Sequence, residues 1–214
     1  MLQADGKAVV EEEIVDFLKN FLIAGRDTTA ELLTWCLHLL SQHPAIEAAV
    51  LDEIAAVVGD KSLTMELISQ LRYLKCVLQE VLRLYPPVPI NLLTALSDDM
   101  LPGDYFVEKD TIILYSAYII HRMPEFWPNP EQFNPDRWLG EPPKPFTYLP
   151  FHGGPRLCLG MDMAFLEARV ALVVLLRKWR FVPVAGFEPS LKVCERSHFN
   201  IFLVISLVLP LLRR

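Results

Sequence analysis

One cysteine lies inside a glycine-rich loop, in the stretch FHGGPRLCLG at residues 151–160. Gly153 and Gly154 allow backbone conformations that other residues avoid, and they let the chain approach a flat ligand closely. A metal-binding thiolate needs backbone N–H donors around its sulfur, and a loop leading into a helix N-terminus supplies them with a favourable dipole. Arg156 can pair with a carboxylate of the ligand. The loop is compatible with Cys158 as a metal ligand, but a buried structural cysteine is the more common role of a lone cysteine, so both interpretations stay open at this point.

A second candidate is the polar patch AGRDTT, from Ala24 to Thr29, within a longer apolar helical pattern. Gly25 beside two threonines weakens a helix, because glycine has low helix propensity and threonine hydroxyls compete for backbone carbonyls. We expect a bulge or a kink here, and such defects often mark functional sites. The alternative is an ordinary helix that tolerates a few small polar residues.

A charged pair, Glu80 and Arg83, lies three residues apart on one face of a predicted helix. On a solvated surface such a pair contributes only about 0.2–0.5 kcal/mol. The neighbouring residues are apolar, so we expect the pair to be buried, and a buried pair needs further partners to offset its desolvation. Arg137, in the stretch FNPDRW, is the candidate partner.

The elements that must position these residues are mostly helices. Residues 11–42 show apolar positions near a period of 3.6 and predict one helix roughly 48 Å long. Pro44 begins a second helix that Gly59 ends, and Thr64 caps a short helical turn. Residues 70–85 form a third long helix that prolines stop, and an apolar helix follows at 161–178.

A smaller part of the chain predicts strands and coil. YFVEKDTIILYS, at residues 105–116, indicates a hairpin around a charged turn. Residues 124–150 are rich in proline and aromatic residues, which predicts a packed irregular coil. Short strands follow residue 178, and the apolar stretch 201–212 is a terminal strand rather than a membrane-associated tail. The order of helices, a small β portion and a further helix predicts a mainly α fold.

Composition limits the classes of function. The chain has 214 residues, with 52% hydrophobic and 21% charged residues, which predicts a packed domain. A net charge of −6 argues against a general nucleic-acid binder. The cysteines show no disulfide or zinc-like spacing, so we expect a reducing compartment and three buried thiols at Cys36, Cys76 and Cys194.

The remaining candidate residues favour packing or surface roles. His38, His43 and His121 form no cluster with metal-ligand spacing, and His152 is not an expected ligand. Residues 1–20 contain no secretory signal. The apolar tail is too short to span a bilayer, which needs about 20 apolar residues.

The cysteine loop fits the pattern F-x-x-G-x-R-x-C-x-G at Phe151, Gly154, Arg156, Cys158 and Gly160. This pattern resembles the haem-binding loop of the cytochromes P450, the haem-thiolate monooxygenases. The resemblance implies that Cys158 is the axial thiolate of haem b and favours O–O cleavage by donating electron density to iron. It also implies that Arg156 binds a haem propionate and that Phe151 shields the sulfur.

The patch at the first helix resembles the oxygen-activation motif of the same family. The resemblance implies that Thr28 holds bound dioxygen and that Asp27 gates proton delivery. It further implies that Ala24 and Gly25 face the haem and leave room for oxygen.

The charged residues match a third family feature. In the cytochromes P450, E-x-x-R and a later P-x-R form a triad behind the haem. The resemblance implies that Glu80, Arg83 and Arg137 form this triad and support the cysteine loop. All the matched motifs occur in the family order.

The resemblance covers about residues 10–185 and corresponds to the second half of the family's usual length. We expect residues 1–214 to form a single partial domain, the C-terminal half of the P450 fold, from the oxygen-binding helix to the helix after the cysteine loop. By this resemblance we expect the family's N-terminal half, with its membrane anchor, to be missing from the sequence. Leu93 lies where many members carry a propionate-binding basic residue, and the atypical apolar tail at 193–214 lacks the turn of the family's last hairpin.

The resemblance implies an enzyme that takes two electrons from NADPH through a flavoprotein reductase. One oxygen atom of O2 enters a C–H bond of a small apolar substrate, and the other leaves as water. PFTYLPFHGGPRLCLGMDMAFLEAR is similar to fatty-acid ω-hydroxylases of plants and fungi, so we expect a fatty acid or another lipid. A full-length parent is expected at the cytosolic face of the endoplasmic reticulum membrane, held only by the missing N-terminal region.

Two alternatives remain open. A haem-thiolate isomerase or dehydratase commonly lacks the threonine that is present here as Thr28. A truncated, non-catalytic helical protein without stable haem would follow from the missing half. A last alternative concerns the basic residues Arg177, Lys178 and Arg180. They either face an acidic reductase, as a monooxygenase would require, or form a solvated helix end.

Overall fold

The computed structural model describes residues 10–183, 192–196, 200–204 and 211–213, the last three ranges by their backbone. Helices account for most of it and meet short antiparallel strands. The helices are α1 (Glu11–Gln42), α2 (Pro44–Val57), α3 (Met65–Ser69), α4 (Arg72–Leu84), α5 (Ala117–Ile120) and α6 (Met161–Lys178). The strands are β1 (Ile90–Thr94), β2 (Asp99–Leu101), β3 (Tyr105–Val107), β4 (Ile112–Ser116), β5 (Trp179–Phe181), β6 (Lys192–Arg196), β7 (Asn200–Val204) and β8 (Leu211–Arg213).

Helix α1 has the bounds that the sequence predicts, but the bulge expected at its polar patch is absent. Residues 11–42 form one uninterrupted α-helix. The hydroxyl of Thr28 donates to the carbonyl oxygen of Ala24 at 2.7 Å, a bond that fits within a regular helix. Gly25 disfavours helix by only about 1 kcal/mol, which is too little to interrupt an element of this length.

The helix ends follow from capping residues. Thr64 caps α3 by accepting a hydrogen bond from the amide of Leu67 at 3.3 Å. Beyond α2, Gly59 adopts a left-handed conformation with φ +52°, and its amide donates to the carbonyl of Ile54 at 3.2 Å. Both predicted helix boundaries are confirmed, because each depends on a local hydrogen bond that the residue type allows.

The hydrophobic core lies between the second half of α1 and helices α2, α4 and α6. Leu32, Leu78 and Leu172 from three of these helices are buried. The ring of Trp35 stacks on Tyr85 with centroids 3.6 Å apart and planes 9° from parallel. Residues 10–26, in contrast, are exposed throughout, so α1 is held by packing only over its second half.

The β portion does not form the hairpin that the sequence predicts between β3 and β4. β1 pairs antiparallel with β4, while β2 and β3 pair with each other inside that connection. The reversal between β2 and β3 uses Gly103 at φ +89° and Asp104 at φ +61°. Ala95 donates to Thr111 at 3.0 Å and accepts from Asp110 at 2.8 Å. These bonds extend the β1–β4 pairing beyond the strand ends, so β4 pairs with β1 and not with β3.

The proline-rich segment is packed as the sequence predicts. The indoles of Trp127 and Trp138 lie 5.6 Å apart by ring centroid, and Tyr148 contacts both. The indole N–H of Trp127 donates to the carbonyl of Thr147 at 3.2 Å. This aromatic cluster gives an irregular backbone a fixed path from α5 to the cysteine loop.

The tail forms short strand pairs. β6 and β7 pair antiparallel from Lys192 opposite Val204 to Arg196 opposite Asn200. The expected lack of a clear turn in the final hairpin concerns residues 197–199, which lie outside the described residues. β5 pairs with β8. The stretch 201–212, predicted as one terminal strand, contains most of β7 and β8 as separate strands, and residues 205–210 between them lie outside the described residues. The side chain of Cys194 lies outside the described residues. Within the part of the chain that the structure describes, no helix has the length and apolarity needed to cross a membrane.

Candidate functional site

The cysteine loop is closed by its own backbone. The amide of Cys158 donates to the carbonyl of Phe151 at 2.9 Å, and the amide of Leu157 donates to Gly154 at 3.2 Å across a 3₁₀ turn. Helix α6 begins directly afterwards, with Gly160 as its N-cap residue. The thiol of Cys158 is half-buried and forms no disulfide. The loop thus presents one free sulfur beside a helix N-terminus.

Glycines shape the surface around this sulfur. Gly154 has φ +62°, and an added Cβ there would meet no atom within 4 Å. At Gly153 a Cβ would approach the side chain of Leu149 to 3.2 Å, so the loop is tightly packed on that side. A Cβ on Gly160 would lie 3.8 Å from the sulfur of Cys158, an ordinary contact distance. One side of the loop is therefore open and the other is pressed against the coil.

Phe151 and Arg156, two further predicted site residues of the loop, differ in their exposure. Phe151 is half-buried and packs against Phe165 of α6, with ring centroids 5.4 Å apart. Arg156 is exposed. Leu157 and Leu159, which flank the cysteine in the sequence, are 49% and 86% exposed, so the loop presents apolar side chains on both sides of Cys158 along the chain.

The polar patch of α1 lies at the boundary between its exposed and buried halves. Ala24 and Gly25 are exposed, and a Cβ on Gly25 would meet no atom within 4 Å. Asp27 and Thr28 are half-buried, and the carboxylate of Asp27 lies 3.9 Å from the guanidinium of Arg26. The helix presents small residues to open space immediately before its first half-buried polar side chains.

Glu31, one turn further along α1, was not identified from the sequence. Its Oε1 atom is buried and has no hydrogen-bond partner among the described residues. Burial raises the pKa of this carboxyl to about 8, so it is protonated at neutral pH. A glutamate inside an amphipathic helix carries no sequence signal of burial, which explains why it was missed.

The structure brings Glu80, Arg83 and Arg137 together. Glu80 and Arg83 are fully buried and form two parallel hydrogen bonds of 2.9 Å. The Nε of Arg137 donates to Oε1 of Glu80 at 2.9 Å. The amide of Asn134 and the indole of Trp138 donate to the same carboxylate at 3.0 and 2.9 Å. These donors are the further partners that a buried pair requires.

Arg83 also fixes the backbone of the coil. Its guanidinium donates to the carbonyls of His121, Pro130 and Gln132 at 2.8, 2.6 and 3.1 Å. Its charge is therefore shared between one carboxylate and three backbone dipoles. Sequence reasoning identified Arg137 as a partner but missed Trp138 and the carbonyls, because side-chain spacing along a coil gives no information about backbone acceptors.

Two histidines connect neighbouring elements to the cysteine loop. His121 is fully buried, and the amide of Leu149 donates to its Nε2 at 2.8 Å. His152 lies in the loop at φ +62°, and its Nδ1 is 3.0 Å from the hydroxyl of Tyr115 on β4. Burial lowers the pKa of His121 to about 3 and also lowers that of His152.

The family model of cytochrome P450 matches residues 1–201. The chain belongs to the cytochrome P450 family. It is 37% identical over 194 residues to "Protein LUTEIN DEFICIENT 5, chloroplastic" of Arabidopsis thaliana, covering 88% of this chain and 32% of that protein. It is 38% identical over 184 residues to the cyclooctat-9-en-7-ol 5-monooxygenase of Streptomyces melanosporofaciens, covering 85% of this chain and 40% of that enzyme.

The fold agrees with this assignment. The crystal structure of the cytochrome P450DA heme domain matches with a TM-score of 0.88 and 31% sequence identity, over 99% of this chain and 47% of that one. The P450 chain thus spans about a third to two fifths of the length of the curated relatives named above. The P450 fold is confirmed, with its mainly helical architecture and small β portion.

Proposed function

We propose that this P450 chain is part of a haem-dependent monooxygenase. It provides the cysteine ligand of the haem and, in α1, the helix beside which oxygen binds. The observation that supports the proposal most directly is the free sulfur of Cys158, half-buried in a closed loop at the start of α6. Haem b, when bound, supplies the one-electron and O2 chemistry that protein side chains lack. One oxygen atom enters a C–H bond of the substrate and the other leaves as water.

The residues of the loop fit the haem group. A thiolate is a soft ligand that suits iron, and the exposed apolar side chains of Leu157 and Leu159 suit the face of a large apolar cofactor. Arg156 is exposed and available to a propionate carboxylate, with which an arginine can form paired hydrogen bonds. Gly154 leaves open space on the same loop. Phe151 and Gly160 complete the set by packing against α6 and by beginning it.

Four residues of α1 have roles on the side of the haem where oxygen binds: Ala24 and Gly25 leave space, Thr28 accepts a hydrogen bond, and Asp27 passes the proton. Because the hydroxyl of Thr28 donates to the carbonyl of Ala24, its lone pairs remain free to accept a hydrogen bond. Asp27 precedes it and is half-exposed, so its carboxylate is placed to exchange protons between solvent and the site. In this proposal Thr28 orients the oxygen and Asp27 passes the proton.

The triad of Glu80, Arg83 and Arg137 has a structural role in this proposal. It fixes the coil that leads to the cysteine loop through the bonds of Arg83 to three backbone carbonyls. A preorganised loop matters for a metal ligand, because outer contacts orient the ligand and tune its basicity.

The partners of the whole protein follow from the same proposal. Electrons come from NADPH through a flavoprotein reductase, and the exposed basic residues Arg177, Lys178 and Arg180 offer a surface for an acidic partner. The substrate is a fatty acid or another small apolar lipid, supported by the resemblance of the cysteine loop to ω-hydroxylases. We propose that the whole protein acts at the cytosolic face of the endoplasmic reticulum membrane.

The proposal is tested by adding haem to the purified chain and recording the spectrum of the reduced CO complex. We expect the red-shifted Soret band of a thiolate–CO complex, its loss in Cys158→Ser, and its retention in the control Cys76→Ala, which removes a buried thiol. A band that survives in Cys158→Ser contradicts the ligand assignment. For the substrate, turnover of fatty acids by the whole protein with NADPH and its reductase is measured, and inactivity on every chain length removes the lipid proposal.

A second candidate is a helical protein that does not retain haem. The observation that favours it is the exposure of the first half of α1, where large apolar side chains such as Phe17, Leu22 and Ile23 face solvent. A cleft with one open wall holds a large apolar cofactor weakly. The absence of any haem retention in the same titration would favour this candidate. A haem-thiolate isomerase or dehydratase is less well supported, because Thr28 is present.

A further inference from the structure

His121 is a buried histidine that joins the charged triad to the cysteine loop. It has no exposed surface and follows α5 directly. Its Nδ1 lies 3.0 Å from the backbone carbonyl of Arg83, and its Nε2 lies 2.8 Å from the backbone amide of Leu149. The two ring nitrogens therefore contact two segments that are far apart in the sequence.

The partners of the ring fix its protonation state. The amide of Leu149 can only donate, so Nε2 must be the nitrogen without a proton. The carbonyl of Arg83 can only accept, so Nδ1 must carry the proton. The ring is thus a neutral imidazole in one tautomer. Burial of the ring disfavours a second proton, and the charges of Arg83 and Arg122 act in the same direction.

Hydrogen bonds continue from His121 to the sulfur-bearing residue. Leu149, which donates to the imidazole, accepts from the amide of His152 at 3.2 Å. Phe151, in the same turn, accepts from the amide of Cys158 at 2.9 Å. In the other direction, Arg83 donates to the carbonyl of His121 at 2.8 Å. The path of contacts from the triad to Cys158 therefore runs through the imidazole of His121 and two short backbone turns.

We propose that His121 is a positioning residue that transmits the position of the Glu80–Arg83–Arg137 triad to the cysteine loop. Its donor side is held by the backbone of Arg83, and its acceptor side holds Leu149. The importance of that loop as a ligand loop rests on the function proposed above, but the positioning itself is a property of the haem-free chain.

A residue that only fills space would not need both nitrogens. The ring of His121 stacks on Tyr148 with centroids 5.4 Å apart, and other flat side chains could make that contact. Substitution by asparagine or glutamine, which both have amide side chains, separates the role of Nδ1 from the role of Nε2. Asparagine places its N–H donor where Nδ1 lies but does not reach Leu149. Glutamine reaches the position of Nε2, where its carbonyl oxygen accepts from Leu149.

The experiment compares His121→Gln with His121→Asn in the haem-free chain. Two rates are measured: amide hydrogen exchange at Leu149, and alkylation of Cys158, read in its own peptide by mass spectrometry. We expect both rates to rise about tenfold in His121→Asn, the effect of losing one buried hydrogen bond, and to stay within about twofold of wild type in His121→Gln.

His43 offers a matched control pair. It is half-buried, its Nδ1 lies 2.8 Å from the carbonyl of Leu39, and it packs on Phe133 away from the cysteine loop. His43→Gln and His43→Asn should leave the alkylation rate of Cys158 unchanged. Equal rates in wild type and both His121 variants, or equal acceleration in both, would overturn the positioning role.

A measurement on the unaltered chain covers the case in which the variants do not fold. Nitrogen-15 NMR should show His121 with a protonated Nδ1 and an unprotonated Nε2. A protonated Nε2 would overturn the proposal, because Leu149 could then not donate to it. Haem titration is recorded separately: if wild type binds no haem while the exchange results hold, the proposed function fails and the positioning role stands.

Discussion

At Glu80, a single buried carboxylate accepts hydrogen bonds from Arg83, Arg137, Trp138 and the amide of Asn134. Buried charges are tolerated when every lone pair has a donor, and removal of one partner leaves the others uncompensated. The sequence pattern predicts which residues form the triad. It does not predict how much of the coil depends on them.

The first prediction concerns this carboxylate. Glu80→Gln should lower the free energy of unfolding by about 3–5 kcal/mol, because it leaves two arginines beside a neutral side chain. Urea unfolding measures the change. The control is Glu131→Gln, which removes an exposed partner of Arg122 and should cost less than about 1 kcal/mol. Equal costs for the two variants would contradict the account of the triad.

The second prediction concerns Glu31, whose folded-state pKa is raised from 4.5 to about 8 by burial. Between these pH values the unfolded chain ionises while the folded chain does not, so the contribution of Glu31 to the free energy of unfolding should fall as pH rises from 4.5 to 8. Below pH 6.5 this contribution opposes that of His121, so it is read from the difference between wild type and Glu31→Gln, which should remove it. The stability of wild type and variant is measured across this range. Parallel curves would show that Glu31 does not carry the raised pKa.

The third prediction concerns His121, whose pKa is lowered from 6.5 to about 3 by burial. The unfolded chain binds a proton below pH 6.5 and the folded chain does not. The contribution of His121 to stability is therefore full above pH 6.5 and should fall by up to about 1.4 kcal/mol per pH unit down to pH 3. His121→Gln should remove this loss, and urea unfolding between pH 7 and 4 measures it. A variant with the wild-type pH dependence would contradict the neutral imidazole.

At the scale of elements, local signals predicted the helices and failed on the sheet. Helix bounds follow from residues that act on their own neighbours, such as Thr64 at a start and Gly59 past an end. Strand partners depend on residues that are distant in the sequence. The apolar and β-branched residues from Tyr105 to Ser116 predicted strands, but their alternation did not specify that β4 pairs with β1.

The fourth prediction compares the substitution of glycine by alanine inside a helix and just past the end of a helix. Gly25→Ala should raise the free energy of unfolding by about 0.5–1 kcal/mol, because Gly25 lies inside α1 with open space around it. Gly59→Ala should lower it, because the backbone there has φ +52°. In the proposed site Gly25→Ala also fills space near the haem and should weaken haem retention. A loss of stability in Gly25→Ala would show that α1 is not a regular helix at this patch.

In the whole molecule, most of the described chain forms a packed domain, whereas residues 10–23 of the first helix and its N-cap expose apolar side chains. Composition predicted a large core, and helices α1, α2, α4 and α6 form it. Composition could not predict that the apolar side chains within residues 10–23 would remain at the surface. A hydrophobic pattern identifies an apolar face of a helix, but it does not identify the residues that cover that face. Phe17 and Phe21 lie on this face with ring centroids 4.6 Å apart.

The fifth prediction concerns that face. Contiguous exposed apolar surface promotes association, so the chain should self-associate as its concentration rises. Leu22→Glu, at a residue that is 72% exposed within this face, should reduce association in sedimentation velocity. Leu96→Glu, at an 89% exposed leucine outside this face, is the matched control and should have a smaller effect. Equal effects would place the associating surface elsewhere.

The proposed function depends on a bond between the sulfur of Cys158 and the iron of haem. X-ray absorption at the iron edge tests it most directly, because sulfur and nitrogen scatterers are distinguished without reference to activity. The haem-loaded chain should show one sulfur ligand to iron, and Cys158→Ser should show none. Iron coordinated by nitrogen and oxygen alone in the wild-type chain, or an unchanged sulfur signal in Cys158→Ser, would contradict the account.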